Sequence, residues 1–138
     1  MKLPKRFLVV DDERTNNLIC EFALRRFSKE ADIKTFLDPQ AALQYITYSY
    51  NDASAQTPTV LFLDINMPVL TGWDFLAIFK DYSEAVRQQF AIYILTSSID
   101  DRDLERAELN PLVTSLLRKP LSTATITDIF SYDLNPVE

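Results

Sequence analysis

Residues that can hold a cation or an anion follow four short apolar segments of this sequence. They are Asp11-Asp12-Glu13, Asp64, Thr96-Ser97-Ser98 and Lys119-Pro120. Carboxylates crowded together repel one another unless a cation neutralises them, and a set of oxygen donors suits Mg²⁺. A lysine and a hydroxyl beside them would complete a pocket for a tetrahedral dianion. The residue types therefore indicate a site for a divalent metal ion with a tetrahedral dianion beside it.

The first three apolar segments before these residues are nearly continuous, which is typical of β-strands that are covered on both faces, and the fourth has polar interruptions. They span residues 7–10, 60–63, 91–95 and 113–117, and a weaker alternating stretch at 31–37 predicts a fifth strand. Segments with helical periodicity alternate with them, which predicts an α/β fold: a doubly wound parallel sheet with helices on both faces. Ligands bind such sheets at the carboxyl ends of the strands, so the polar groups are expected to meet there.

The helices show their own signals. Leu18, Ile19, Phe22, Ala23 and Phe27 form an apolar stripe that is expected to face the sheet, and Cys20 beside it is expected to be buried. Helix-capping signals occur at three further places, namely Asp38-Pro39, Thr71 with Asp74, and Ser122. Residues 51–58 are predicted to form a loop.

The predicted fourth helix, at residues 99–109, is highly charged and has few apolar positions. A solvated helix explains most of its charges. Because so few of its side chains can be buried, we expect this helix to be weakly anchored, which is the property an ordering switch requires.

Composition excludes several classes of function. The 138 residues fit one domain over 1–138, and a net charge of −6 disfavours nucleic acid or an anionic membrane as partner. With no histidine and one cysteine the chain has no Ser-His-Asp triad and no Cys-ligated or His-ligated zinc site. One glycine cannot build a glycine-rich dinucleotide loop. No signal peptide or membrane span is evident, so the cytoplasm is the expected location.

Four motifs together resemble the receiver domain of two-component response regulators over nearly the whole chain. They are FLVVDDE at 7–13, LFLDINMPVLTG at 61–72, IYILTSS at 92–98 and LLRKPL at 116–121. The D-x-N-M-P sequence with a following glycine is similar to the phosphorylation loop of that family. The only glycine of the chain, Gly72, lies there, which indicates a local demand on the backbone. The resemblance implies a flavodoxin-like sheet with strand order 2-1-3-4-5.

The resemblance also implies roles for the acidic residues. Asp64 is expected to be the phosphoacceptor, a carboxylate nucleophile that becomes an acyl phosphate. Asp12 is expected to bind Mg²⁺ directly, and Asp11 through a metal-bound water. Asn66 is expected to give its backbone carbonyl to the metal.

Further roles follow from the other two motifs. Thr96 is expected to bond a phosphoryl oxygen, and Lys119 is expected to pair with the phosphoryl group. Pro120 is a candidate for a cis peptide bond. Leu116 departs from the family pattern, because an aromatic residue is common three residues before the lysine. The usual aromatic part of the switch is therefore missing.

The leading hypothesis is a phosphorylation-dependent switch rather than an enzyme, with no output domain on the chain. Its expected donor is a sensor histidine kinase or a histidine phosphotransfer protein, and its expected output face is the fourth helix, fifth strand and fifth helix. One alternative is a receiver-like scaffold that acts without phosphorylation. Another is a phosphatase similar to haloacid dehalogenases, which Asn66 disfavours because an aspartate usually serves as general acid at that position.

Overall fold

The computed structural model describes residues 5–51 and 57–134, with side chains as far as Phe130, so that residues 52–56 of the predicted loop lie outside the described part. The described residues form one five-stranded, all-parallel sheet in the order β2-β1-β3-β4-β5. Its strands are β1 (Arg6–Val10), β2 (Asp32–Phe36), β3 (Thr59–Asp64), β4 (Phe90–Thr96) and β5 (Val113–Arg118). The predicted fold class and strand order are confirmed.

Helices connect the strands and cover both faces of the sheet. They are α1 (Arg14–Phe27), α2 (Pro39–Ser49), α3 (Gly72–Phe79), α4 (Glu84–Arg87), α5 (Asp101–Leu109) and α6 (Thr123–Leu134). The one-turn helix α4 was not predicted, and it begins where the Ser83 side chain accepts from the Val86 N–H. The predicted fourth and fifth helices are therefore α5 and α6.

Alternate residues of the strands supply two separate apolar cores. In β1, Leu8 and Val10 face a core shared with α2 and α3, whereas Phe7 and Val9 face a core shared with α1 and α6. The central strand β3 is buried along its whole length. Because both faces of the sheet are covered, the three inner strands β1, β3 and β4 are almost continuously apolar, as the sequence indicated.

The predicted inner face of α1 is wrong in part. Leu18 and Phe22 are exposed over 60% and 67% of their surface, and the side that meets the sheet consists of the residues Asn17, Cys20, Ala23 and Leu24. Small side chains at two of these positions let the helix lie close to the sheet. Cys20 is buried as expected, and burial raises the pKa of its thiol to about 12.

The predicted helix starts agree with the structure. The Asp38 side chain accepts from the Gln40 N–H, and Thr71 and Asp74 form a reciprocal capping box. Ser122 Oγ accepts from the Thr125 N–H at 3.1 Å.

Helix α5 is weakly anchored, as its charge pattern indicated. Among the described residues Asp101–Leu109, Ala107 alone is buried. Across the described part of the chain, no helix is long and apolar enough to cross a membrane.

Candidate functional site

Three carboxylates meet where β1 and β3 end. Asp11, Asp12 and Asp64 each place one oxygen within 4.8 Å of the other two. Asp11 and Asp64 are buried, whereas Asp12 is exposed at the rim. The two strands are neighbours in the sheet, with Val10 opposite Leu63, so their carboxyl ends bring the acids together. The structure thus forms the acidic cluster that the sequence predicted.

Hydrogen bonds hold both the side chain and the backbone of Asp11. The Glu13 N–H donates to Asp11 Oδ1 at 2.9 Å, and the Asp11 N–H donates to the Phe36 carbonyl at 3.0 Å. The Asn17 amide donates to the carbonyls of Asp11 and Phe36, at 3.0 and 3.3 Å. Asn17 therefore ties α1 to the ends of β1 and β2.

Asn17 was not among the predicted site residues. A signal was present, because a polar residue on the sheet-facing side of a helix requires a buried partner. The prediction instead placed the larger apolar residues Leu18 and Phe22 on the inner face, and these lie on the exposed side of the helix.

Asp64 is positioned by the loop that follows it. The Asn66 N–H donates to Asp64 Oδ1 at 3.1 Å, and the Gly72 N–H donates to the Ile65 carbonyl at 3.1 Å. A Cβ atom on Gly72 would lie 2.7 Å from both the Asp64 carbonyl oxygen and Ile65 Cα. The close approach of two backbone segments explains why glycine stands at this position.

Lys119 reaches into the acidic cluster from the end of β5. Its Nζ lies 2.7 Å from Asp11 Oδ2 and 3.3 Å from Asp64 Oδ1. The Lys119 N–H donates to the Thr96 carbonyl at 2.8 Å, which fixes the lysine backbone beside β4. The peptide bond between Lys119 and Pro120 is cis.

The cluster retains negative charge even with this lysine. Three carboxylates face one ammonium group, which leaves a formal charge of about −2. Burial, together with the charge of Asp11, raises the pKa of Asp64 above its ordinary value, although the Asn66 N–H and Lys119 act in the opposite direction. Burial by itself would lower the pKa of Lys119, but its bonds and charge interactions with Asp11 and Asp64 raise the pKa overall.

Thr96, Asn66 and Leu116 were also predicted as site residues, and their side chains lie outside the carboxylate cluster. Thr96 is fully buried, and its hydroxyl donates to the Ser98 carbonyl at 3.0 Å and accepts from the Ser98 N–H at 3.2 Å. The Asn66 side chain is exposed. Leu116 is half-buried, lies opposite Ile94, and packs against the core shared with α2 and α3.

The donor set fits a divalent cation. The three side-chain ligands of the cluster are carboxylate oxygens, two of the acids are buried, and the residual negative charge is unfavourable unless a cation compensates it. Lys119 then leaves a cationic group beside Asp64 for a second, anionic ligand. The arrangement can hold a metal ion and a phosphoryl group side by side.

Comparisons with known proteins agree with this geometry. The family model described as the response regulator receiver domain matches residues 7–131. The comparison with curated proteins gives no match.

Solved structures share the fold. A response regulator receiver protein from Dyadobacter fermentans is 28% identical with a TM-score of 0.80, over 91% of this chain and 94% of that one. A two component response regulator from Cytophaga hutchinsonii is 24% identical with a TM-score of 0.84, over 97% and 99% of the two chains. The chemotaxis protein CheY4 of Vibrio cholerae is 23% identical with a TM-score of 0.68, over 94% and 98%. The last two likenesses show the fold alone.

The family match covers most of the chain and includes every residue of the acidic cluster. The cluster itself fits a phosphoacceptor site. The chain therefore belongs to the response regulator receiver domain family, whose members act as phosphorylation-dependent signalling switches.

Proposed function

We propose that this chain accepts a phosphoryl group on Asp64 from a phosphohistidine. The donor is a sensor histidine kinase or a histidine phosphotransfer protein. The observation that supports this best is the position of Lys119, whose ammonium group bridges Asp11 and Asp64 in a cluster that retains negative charge. Asp11, Asp12 and Asp64, with the backbone carbonyl of Asn66, would hold Mg²⁺.

The transfer requires little from the protein beyond position and charge. Asp64 Oδ1 accepts the Asn66 N–H and faces Lys119, so we assign Oδ2 as the attacking oxygen. A bond forms between this oxygen and phosphorus while the bond from phosphorus to the imidazole nitrogen breaks, and the electron pair returns to the imidazole. Lys119 then compensates charge on the phosphoryl oxygens. When bound, Mg²⁺ would offset the negative charge that the acids retain and part of the charge of the phosphoryl group.

Thr96 connects the pocket to the output surface. Its hydroxyl is bound to the backbone of Ser98, and the chain continues from there into α5. We propose that the hydroxyl exchanges the Ser98 carbonyl for a phosphoryl oxygen, which pulls residues 97–100 and moves α5. A downstream protein then binds the face formed by α5, β5 and α6. Leu116 of β5 lies in this region and responds by repacking rather than by the rotation of an aromatic ring.

The wider context also remains a proposal. Residues 1–138 would form one receiver unit acting in the cytoplasm, and the family match over residues 7–131 supports the extent of that unit. A net charge of −6 favours protein partners over nucleic acid or an anionic membrane.

Intact mass tests the proposal directly. The chain is incubated with Mg²⁺ and acetyl phosphate, and separately with a phosphorylated histidine phosphotransfer protein. We expect the gain of one phosphoryl group, which is lost in Asp64→Asn and in the presence of a chelator. Asp81→Asn removes an exposed carboxylate outside the pocket and serves as matched control. If no donor phosphorylates the wild-type chain, the proposal fails and the phosphorylation-independent scaffold takes its place.

A further inference from the structure

A groove beside α5 is not used by the phosphoryl chemistry. It has a volume of about 520 Å³ and lies between α3, α4, α5 and the segment that leads into β5. Its apolar lining consists of the side chains Trp73, Leu76, Ala77, Leu109, Pro111 and Leu112. Leu109, the last residue of α5, is exposed over 74% of its surface. A mostly apolar pocket of this volume is typical of a binding site.

The rim of the groove is positively charged on an acidic protein. Lys80, Arg87 and Arg106 line it, and no carboxylate does so among the described residues. The ion pairs formed within the described residues involve other cations, namely Arg6, Arg25 and Lys119. Three cationic groups around an apolar surface complement an anionic ligand with an apolar part.

Two of these cations are held in position. The Arg87 Nε–H donates to the Tyr82 carbonyl at 2.9 Å, which fixes the guanidinium on the α4 side. The Arg106 guanidinium stacks over the Trp73 ring, 4.5 Å from its centroid. Tryptophan and arginine are enriched among the residues that contribute most of the binding energy at protein interfaces.

The contact between Arg106 and Trp73 joins the helix that follows the phosphorylation loop to α5. Since Ala107 is the one buried residue among the described residues of α5, a ligand that bridges the groove would add to the anchoring of that helix. Any movement of α5 changes the distance between Arg106 and the other two cations.

We propose that this groove binds an acidic peptide segment of a downstream protein. An apolar side chain of the segment packs beside Trp73 and Leu109, and its carboxylates pair with Lys80, Arg87 and Arg106. This inference rests on the proposed function, because it gives the downstream partner a chemistry and extends its contact to the α3 side of α5. The open groove and the exposure of the residues Lys80 and Arg106 at its rim suit an extended chain.

A displayed library of random peptides tests the proposal. Selection uses the unphosphorylated full chain, so its result does not depend on phosphorylation of Asp64. We expect the enriched peptides to carry carboxylates around one large apolar residue. Because Trp73 is the only tryptophan, the chain has a single indole N–H signal in NMR spectra, and the enriched peptides should shift it.

Charge variants provide the second readout. Lys80→Gln and Arg106→Gln lie on different elements, and each should weaken binding about fivefold. Arg102→Gln removes an exposed cation of α5 that does not line the groove, and it should bind like wild type. The proposal is overturned if no peptide is enriched, if the enriched peptides are neutral or basic, if the Trp73 signal stays in place, or if the two groove variants keep full affinity.

The intact-mass experiment separates this proposal from the proposed function. Acidic peptides that bind the groove of a chain that no donor phosphorylates would support the groove and contradict the phosphoacceptor role. A chain that is phosphorylated on Asp64 but selects no acidic peptide would support the phosphoacceptor role and contradict the groove.

Discussion

The acidic pocket and helix α5 are joined by only a few residues, yet they are anchored in very different ways. In the pocket, Asp11 is fully buried and both its carboxylate and its backbone have hydrogen-bond partners. In α5, Ala107 is the one buried residue among the described residues of the helix, and charged side chains face water. When a phosphoryl group binds a rigid site, the charge of the site changes while its side chains stay in place. A loosely held helix can respond to that change at small energetic cost.

Loss of the lysine should disturb the rigid region most. Lys119→Met leaves Asp11 and Asp64 close together without their cation, and in metal-free buffer we expect the free energy of unfolding to fall by about 3 kcal/mol. Chemical denaturation measures the loss. Lys29→Met, at an exposed position, should change stability by less than about 0.5 kcal/mol.

Magnesium should restore part of that loss. The metal and the lysine compensate the same carboxylates, so Mg²⁺ should stabilise Lys119→Met more than it stabilises wild type. Equal losses of unfolding free energy in Lys119→Met and Lys29→Met would show that Lys119 does not stabilise the acidic pocket.

The glycine of the phosphorylation loop should have the next largest effect. In Gly72→Ala the new methyl group meets the Asp64 carbonyl oxygen and Ile65 Cα at 2.7 Å, so backbone must shift. We expect a loss of about 2 kcal/mol in thermal or chemical unfolding. Ala41→Ser also adds one heavy atom, at an exposed position of α2, and should cost about 0.5 kcal/mol. A Gly72→Ala variant as stable as its control would show that this contact relaxes freely.

Neutralising Asp64 should stabilise the metal-free chain. Burial raises the pKa of Asp64, so folding favours its protonated form. The folded chain therefore loses stability as pH rises through the raised pKa and the buried carboxyl group ionises. Asp64→Asn removes that loss. In chelator at neutral pH, its melting temperature should exceed that of wild type by a few degrees.

The pH dependence provides the control for this variant. Below the ordinary pKa range of an aspartate, Asp64 is protonated in both folded and unfolded wild type, so the advantage of Asp64→Asn should disappear. An equal difference in melting temperature at neutral and acidic pH would show that ionisation is not its cause.

The smallest effect on stability is expected in the loosely held region. Arg106→Gln removes the stacking on Trp73 and should lower the free energy of unfolding by less than about 1 kcal/mol. Hydrogen exchange of residues 101–109 should nevertheless become faster, while β1 and β3 stay unchanged. Arg102→Gln is the matched control. Faster exchange in the pocket strands as well would show that α5 and the pocket unfold together.

The sheet and the acidic cluster were predictable because their signals are local and repeated. Each buried strand is a short apolar run, and a polar group follows it directly. Parallel topology then places those groups at one edge, so Asp11, Asp64 and Lys119 were expected together although they lie far apart in sequence. Capping residues such as Thr71 were predictable for the same reason, since the side chain binds backbone within one turn.

Other features depend on packing that a single sequence does not display. The inner face of α1 uses small residues and Asn17, because closeness to the sheet outweighed the burial of Phe22. The register between β4 and β5 shifts after Ile92 and leaves Thr114 without a partner among the paired residues. The stacking of Arg106 on Trp73 joins two helices whose relative position no local pattern specifies.

Hydrogen exchange of α5 before and after phosphorylation tests whether a phosphoryl group on Asp64 changes how firmly this helix is held. Mass spectrometry reports the phosphoryl group on Asp64 and the exchange of residues 101–109 in the same sample, with Asp64→Asn as control. We expect phosphorylation to change the exchange of α5 in wild type, to leave β1 and β3 protected, and to have no effect in the variant. A fully phosphorylated chain with unchanged exchange in residues 101–109 would contradict this expectation.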